Sequence, residues 1–392
     1  MGPPNADPRT PNADPRTPNA ERRPANAERR TPNAERRTPN ARIVVAMSGG
    51  VDSSVAAALV ADRGEVVGLS MQVYDQQDGV RQFGRCCSLD DLSDARRVAA
   101  TLGIPHYVVN FEREFHEKVI QNFIGEYTAG RTPIPCVHCN GDLKFATLLE
   151  RAEGLDASRV ATGHYARVRF DEDTRAYQLL RGVDADKDQS YFLFTLTQAQ
   201  LSRAEFPVGH LTKAEVRAIA RGRGLPVANK PDSHEICFIP DDDHAAFVAK
   251  HAPDAARPGV FTDAAGKVLG RHDGAHRFTV GQRKGLRLSA GVPLYVLEID
   301  TAAQKVTVGP KEALERIDLQ AAGVNWIAGA PPAGPIRVAA KIRHRAKDAS
   351  ATVSAQGDGA HVTFDEPQSA IAPGQAVVFY QDEVVVGGGW IC

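Results

Sequence analysis

An apolar run, Ile43 to Met47, stops at Ser48-Gly49-Gly50-Val51-Asp52-Ser53 and leads into a helix-forming run, Ser54 to Ala61. Strand, tight glycine turn and helix in that order allow few folds. The pattern predicts an α/β domain whose first strand ends in a ligand-binding loop. Gly49 and Gly50 can take φ angles that side chains resist, and they let the backbone approach a ligand closely. Ser48, Ser53 and Ser54 supply hydroxyls. The first N–H groups of the following helix lack intrahelical partners and lie at the positive end of its dipole, so they suit a phosphate. No Gly-Lys-Ser/Thr follows, so this is not a Walker loop. An ordinary glycine turn would need the glycines alone; Ser, Asp and Ser at fixed offsets favour a phosphate grip.

Downstream, the apolar runs Val66–Val73, Tyr107–Phe111 and Arg159–Gly163 read as further strands. Between them, Leu89, Leu92, Ala95, Val98, Ala99 and Leu102 recur at helical spacing, with Ser88 and Asp91 placed as a capping box. Phe115, Val119 and Phe123 continue that periodicity. Alternating strands and helices imply a doubly wound parallel sheet. Its ligands sit at the carboxyl ends of strands, where Ser48 and Gly163-His164 can share one site. Beyond about residue 245, Pro and Gly punctuate short strands such as Pro293–Ile299 and Lys305–Gly309. Period-two runs then dominate: Arg337–Arg345, Ala351–Ser354, His361–Phe364 and Ala376–Tyr380. The expected order is therefore a catalytic α/β domain over 42–243, a small central β-rich domain over 244–312 and a β-barrel-like domain over 313–392. A chain of 392 residues is long enough for such a division. Within the last part, Lys341-Ile342-Arg343-His344-Arg345-Ala346-Lys347 alternates strictly. As a strand it would put its basic side chains on one face, fit for a phosphate backbone or for keeping an edge strand from aggregating. A second basic stretch, His276 to Gly285, has loop composition.

Residues 1–41 repeat a heptapeptide, first Pro-Asn-Ala-Asp-Pro-Arg-Thr and then Pro-Asn-Ala-Glu-Arg-Arg-Thr. Its prolines and missing apolar positions exclude a coiled coil and predict disorder. It is read as a dispensable extension, with weak RNA tethering by its eight arginines as the alternative. The whole chain carries a net charge of −1, so nucleic acid can be met only through local basic patches. No run reaches the ~18 apolar residues of a membrane span, and the N-terminus has no signal-peptide core. Six cysteines in so long a chain suit redox or catalytic use in the cytoplasm rather than a disulfide framework. They are the vicinal pair Cys86-Cys87, a Cys136-x-x-Cys139 after two prolines, and the single Cys237 and Cys392. Structural zinc wants four spaced ligands, which this pattern does not offer, and no resident metal is assigned. Cys237 alone could be an inert buried thiol. Next to a phosphate loop, three cysteines also suit sulfur transfer through a persulfide that a second thiol releases.

Read together, the motifs are specific. Ser48-Gly49-Gly50-Val51-Asp52-Ser53 resembles the PP-loop of ATP pyrophosphatases, which grips the β,γ-phosphates while ATP is cleaved to AMP and pyrophosphate. It is joined by Gly130-Arg131-Thr132-Pro133-x-Pro135-x-x-x-Cys139-Asn140-x-x-x-Lys144-Phe145 and Thr162-Gly163-His164-Tyr165-Ala166. Lys187-Asp188-Gln189-Ser190-Tyr191-Phe192 and Ser233-x-x-Ile236-Cys237-Phe238 complete the set. In that order they resemble the tRNA-specific 2-thiouridylase family from residue 42 to the end. The resemblance implies that the C2 oxygen of wobble uridine 34 is adenylated by ATP and then replaced by sulfur. It implies that Ala46, Met47, Ser48, Gly49, Gly50, Val51, Asp52 and Ser53 bind ATP with Mg²⁺, and that Met71 and Gly163 line the nucleotide site. Cys139 matches the nucleophile and Cys237 the persulfide carrier, supplied by a sulfur-donor protein such as a cysteine desulfurase or relay protein. Ile134, Pro135 and Cys136 match the loop that meets the target base. His164, Lys187, Asp188, Gln189, Arg343, His344 and Gln375 match tRNA-contacting positions. Some family members carry Asp where this chain has Cys136. Two sulfur chemistries stay open on that account: persulfide relay ending in a Cys139–Cys237 disulfide, or a [4Fe–4S] cluster on Cys136, Cys139 and Cys237 with one open iron.

Overall fold

The computed structural model describes residues 42–73, 88–232, 236–239, 243–289 and 291–392. The heptapeptide tail, Cys86-Cys87 and Ser233-His234-Glu235 lie outside the described residues. Strands β1 (Arg42–Ala46), β2 (Val66–Gln72), β3 (His106–Asn110) and β4 (Ala157–Ala161) carry the first sheet. A hairpin of β5 (Ala166–Asp171) and β6 (Ala176–Arg181) follows, and then the short β7 (Ala204–Glu205). The first sheet is parallel, in the order β3-β2-β1-β4-β7. The chain moves outward from β1 through β2 to β3 and then returns to β4 on the other flank of β1. The C-terminal ends of β1 and β4 therefore flank the crevice where such sheets bind ligands.

Helices α1 (Val51–Ala61), α2 (Leu89–Leu102), α3 (Glu112–Phe115), α4 (Gln121–Thr128), α5 (Pro135–His138) and α6 (Leu148–Glu153) alternate with these strands. After β6 come α7 (Gln198–Arg203), α8 (Lys213–Gly222) and α9 (His244–His251). Both faces of the sheet are covered at its centre, so β1 and β2 are buried along most of their length rather than alternating. Val44 packs into one cluster with Phe111, Phe115, Phe123 and Leu148. Its neighbours Ile43 and Val45 pack into the other, with Val55, Val60, Val98 and Val216. The Ser88–Asp91 capping box forms as the spacing predicts, and α2 ends at Gly103, whose φ is +67°. Such a cap contributes about 1 kcal/mol. Helix α1 differs: Gly50 is its N-cap and offers no side-chain bond, which leaves the first-turn N–H groups for a ligand.

Strands β8 (Gly259–Thr262), β9 (Val268–His272), β10 (Tyr295–Asp300) and β11 (Lys305–Gly309) form the central sheet, ordered β10-β11-β8-β9, around Phe261, Phe278, Val296 and Val306. The last sheet comprises β12 (Glu315–Trp326), β13 (Ile336–Lys341), β14 (Ala349–Gln356), β15 (Gly359–Ser369), β16 (Ala376–Gln381) and β17 (Val384–Ile391). Strand β12 pairs with both β15 and β17, so the sheet closes on itself as an antiparallel barrel. The β5–β6 hairpin of the first domain joins this sheet, with Val384 opposite Leu180 and Val385 opposite Leu179.

The basic strand expected over 341–347 is not one. Strand β13 ends at Lys341, and Ala340 already pairs with Ala349 of β14, so the intervening residues must reverse the chain. Ile342 turns into the barrel core at 5% exposure, while Arg343, Arg345 and Lys347 are exposed on the turn. An antiparallel neighbour forces a loop where the alternation alone suggested an edge. The second basic stretch, from His276, is mostly loop, as its composition predicts.

Candidate active site

The loop after β1 is built by close backbone approach. Met47 N donates to Leu69 O at 2.7 Å, and the Ser70 hydroxyl donates to Met47 O at 2.6 Å, which fixes where the strand ends. Gly49 has φ +72°, and a Cβ there would lie 2.1 Å from Asp91 O. Ser53 Oγ accepts from Ser48 N at 3.2 Å, and Ser54 Oγ donates to Gly50 O at 2.7 Å, so the hydroxyls brace the turn. Gly163, just past β4, abuts the same turn backbone to backbone: a Cβ there would meet Ser53 N at 2.5 Å and the Asp52 carbonyl carbon at 2.7 Å. The ends of β1 and β4 thus meet backbone to backbone. Val51 and Ser53 are buried, Ala46 and Asp52 are half-buried, and Ser48 is exposed at the mouth. Met71 lies one residue before the end of β2, with its side chain in the core.

Lys213, Arg217, Lys230 and Asp232, which carried no sequence signal, gather beside this loop with Asp52 and Lys187. Asp52 accepts from the Tyr165 hydroxyl at 2.8 Å, and both its oxygens lie 2.8 Å from Lys213 Nζ. Burial, and then the Asp52 charge, push the Tyr165 hydroxyl well above its ordinary value, so it stays a proton donor. Lys213 Nζ is also 2.7 Å from Asp232 Oδ1. Asp232 further holds Lys187 at 2.8 Å and Arg217 at 3.0 Å. Burial raises the Asp232 carboxyl, but Lys187 and Lys213 outweigh it and bring it down to about 2. Lys230 Nζ donates to Gly49 O at 3.1 Å and pairs with Asp91 at 2.6 Å, tying α2 to the loop.

Cys139 and Cys237 come from two segments far apart in the chain. Pro135 opens α5, where a missing N–H costs nothing, and α5 runs into a π-helical segment that begins at Cys139. Such segments are often found at functional positions. Next to it, Asn140 Nδ2 donates to Phe192 O at 3.3 Å, and Lys144 Nζ donates to Asn140 Oδ1 at 2.9 Å. The barrel clamps the approach to α5: Thr132 N donates to Pro373 O at 2.8 Å, Gln375 Nε2 to Thr132 O at 3.0 Å, and Trp390 stacks on His138 at 4.8 Å. Cys139 and Cys237 both pack against the apolar cluster that also takes Ala46 and Met71. Ile134 and Pro135 are buried and Cys136 is exposed. Among the described residues, no three His, Cys, Asp or Glu side chains are grouped so as to hold a metal ion. Asp52 suits Mg²⁺ as the one carboxylate on the loop, since that ion takes most of its ligands from phosphates and water.

Several positions matched to tRNA contact converge. His344 shares a 3.3 Å hydrogen bond with Asp188 O and packs on Phe192 at 4.5 Å. Gln189 Oε1 accepts from Tyr165 N at 3.0 Å. The Asp188 carboxylate is buried and turned inward, accepting from Gly182 N and Ser190 N, each at 3.0 Å. His164 pairs with Thr162 Oγ1 at 2.7 Å; burial and then the Lys144 charge hold it well below its ordinary value, and therefore neutral. Arg343 is exposed and donates to Ser369 O at 3.2 Å.

Three family models match in succession: a tRNA methyl transferase HUP domain over residues 41–241, a tRNA methyl transferase PRC-barrel domain over 245–310 and an aminomethyltransferase beta-barrel domain over 316–391. The tRNA-specific 2-thiouridylase MnmA of Geotalea uraniireducens is 53% identical over 357 residues, covering 89% of this chain and 94% of that protein. The protein of the same name from Solibacter usitatus is 51% identical over 366 residues, covering 89% and 98%. With half of its residues shared over nine-tenths of its length, the chain belongs to the tRNA-specific 2-thiouridylase MnmA family.

Proposed function

We propose that this protein is a tRNA-uridine 2-sulfurtransferase that adenylates the C2 oxygen of wobble uridine 34 and replaces it with sulfur from a cysteine persulfide. One observation carries the reading: Ala46 of the phosphate loop, Met71 at the nucleotide side, Cys139 and Cys237 all pack on one apolar cluster. That common core supports placing the nucleotide chemistry and the sulfur chemistry in one site. The family-model descriptions mention methyl transfer, but two thiols beside an ATP loop suit thiolation.

The chemistry follows from the residues. A carbonyl oxygen is a poor leaving group, and attack of uridine O2 on the α-phosphorus, with loss of pyrophosphate, turns it into a phosphate ester. The free N–H groups of α1 and the glycine turn hold the phosphates. Asp52 would hold a Mg²⁺ ion, whose chemistry there would be to neutralise the phosphate charge. The terminal sulfur of the Cys237 persulfide attacks C2, and AMP departs with the C–O bond. The Cys139 thiolate then attacks the Cys237 sulfur, the persulfide bond breaks, and 2-thiouridine is released. The enzyme is left with a Cys139–Cys237 disulfide that an external thiol reduces before the next turnover. Cys136, exposed at the start of α5, meets the base with Ile134 and Pro135. The base has to leave the anticodon stack to reach these groups. Lys187, Gln189, His164, Arg343, His344 and Gln375 contact the anticodon arm, and a sulfur-donor protein of the desulfurase or relay class loads Cys237. We place the catalytic unit at 42–243, the central tRNA-binding unit at 244–312 and the barrel at 313–392, acting in the cytoplasm. Among the described residues, no helix is long and apolar enough to cross a membrane.

Nucleoside mass spectrometry tests this on unmodified tRNA with ATP and Mg²⁺, comparing the wild type with Cys237→Ala, each with a persulfide donor and with free sulfide. The expected result is 2-thiouridine from the wild type and none from Cys237→Ala with the persulfide donor. A brown anaerobic preparation that loses its absorbance in Cys136→Ser would move the sulfur step to a cluster. ATP cleavage that needs no tRNA would point to an amide-forming synthetase instead.

A further inference from the structure

Cys237 occupies a tight turn that Ile239 N closes by donating to Ile236 O at 3.1 Å. Cys237 itself is half-buried, whereas Phe238 and Ile239 are 7% and 1% exposed. Three rings grip Phe238. Phe115, Phe123 and Phe247 each meet it edge to face, with centroids 5.6, 5.2 and 5.4 Å away. Phe115 ends α3, Phe123 lies in α4 and Phe247 in α9, so one ring is held from three helices. Edge-to-face pairs favour particular ring orientations, and such a pocket fixes direction as well as depth. The wall made by α3 and α4 is also tied to the other thiol. A π-helical segment, His116–Ile120, joins the two helices, and its Lys118 Nζ donates to Asp142 O at 3.0 Å in the segment that begins at Cys139. Val119 and Leu143, one from each segment, are buried in the apolar cluster on which both cysteines pack. Continuous packing therefore connects the helix of Cys139 to the pocket that takes Phe238.

We infer that Phe238 is a positioning residue for the sulfur step: its ring sets where Cys237 stands relative to Cys139. The inference rests on the persulfide reading above. In that reading Cys237 serves three partners in turn, the sulfur donor, the activated uridine and Cys139. A ring lodged one residue along holds the backbone there without using the sulfur itself as the anchor. A thiol kept at reacting distance acts as though highly concentrated, and a small displacement forfeits that advantage.

Equilibration of the full chain in glutathione redox buffers tests this. Peptide mass spectrometry counts the Cys139–Cys237 disulfide and so reads the effective concentration of one thiol towards the other. Phe238→Leu keeps an apolar side chain and removes all three ring contacts, and it is expected to lower that concentration roughly ten- to hundredfold. With a persulfide donor, kcat for 2-thiouridine is expected to fall by a similar factor, while KM for tRNA and for ATP stays within about twofold. Phe261→Leu is the control for lost packing alone. Phe261 is 1% exposed in the core of the central sheet and meets His272 and Phe278 edge to face, each at 5.0 Å. Its replacement is expected to leave the thiol equilibrium unchanged. A wild-type equilibrium in Phe238→Leu, or an equal fall in Phe261→Leu, overturns the inference. Absence of the disulfide from the wild type at every buffer ratio would instead strike the persulfide reading, and the inference with it.

Discussion

Replacement of Gly163 by alanine tests whether the ends of β4 and β1 share one site. The added Cβ would lie 2.5 Å from Ser53 N, 2.7 Å from the Asp52 carbonyl carbon and 2.9 Å from Ser53 Cα. Ordinary contacts begin near 3.4 Å, so the two segments must part by close to 1 Å. All three atoms are backbone, and no side chain can swing aside. Overpacking of this kind costs about 1–3 kcal/mol. It also moves the first turn of α1, whose N–H groups hold the phosphates in the proposed reading, and a shift of about 1 Å at a reacting site costs about a hundredfold in rate. Urea unfolding is expected to register that loss of stability. Calorimetry is expected to give ATP affinity lowered roughly tenfold or more, and tRNA-dependent AMP release is expected to fall further. Gly50→Ala is the control for folding: its Cβ would meet only Ser48 Oγ, at 3.6 Å, and its stability is expected within about 1 kcal/mol of wild type. A Gly163→Ala protein with wild-type stability and ATP affinity would refute the backbone-to-backbone reading of the site.

The inward carboxylate of Asp188 makes it an anchor for its own loop, so Asp188→Ala is expected to lose roughly 2–4 kcal/mol in urea unfolding by stranding the Gly182 and Ser190 donors; retained stability with lost tRNA affinity would make it a direct contact. The Asp232 carboxyl is depressed to about 2, so its ion pairs stabilise the fold above the unfolded value near 3.8 and are lost as pH falls through about 2. The stability deficit of Asp232→Asn is therefore expected in full at pH 6 and gone near pH 2, and a deficit independent of pH would assign it to packing. Exposed on the β13–β14 turn, Arg343 and Arg345 are expected to contribute about two counterions to tRNA binding, and their double replacement by alanine should flatten the salt dependence accordingly. An unchanged slope would remove that turn from the interface.

Much of this was legible in one dimension because the signals are local. The phosphate loop needs glycine, serine and aspartate within six positions, and the α2 capping box needs Ser88 and Asp91 three residues apart. Sheet strands covered on both faces read as apolar runs wherever they lie. The basic turn was misread for the complementary reason: alternation describes side-chain direction only if the backbone stays extended, and pairing of β13 with β14 decides that it does not.

The sequence by itself determined the loop, the order of strands and helices, the cysteines we propose for the sulfur chemistry and, through resemblance, the reaction. Only the tertiary structure decided which charges meet. Lys213 is 161 residues from Asp52, and Trp390 is far from His138 along the chain, yet each pair is in contact. Only in three dimensions, too, does the β5–β6 hairpin join the barrel, and only there do Cys139 and Cys237 settle on one apolar cluster. Nothing in the local pattern distinguishes Lys213 from any other lysine at the start of a helix. Its partners are set by the packing of α8 beside α1, a consequence of apolar burial that brings the ammonium to Asp52 and Asp232.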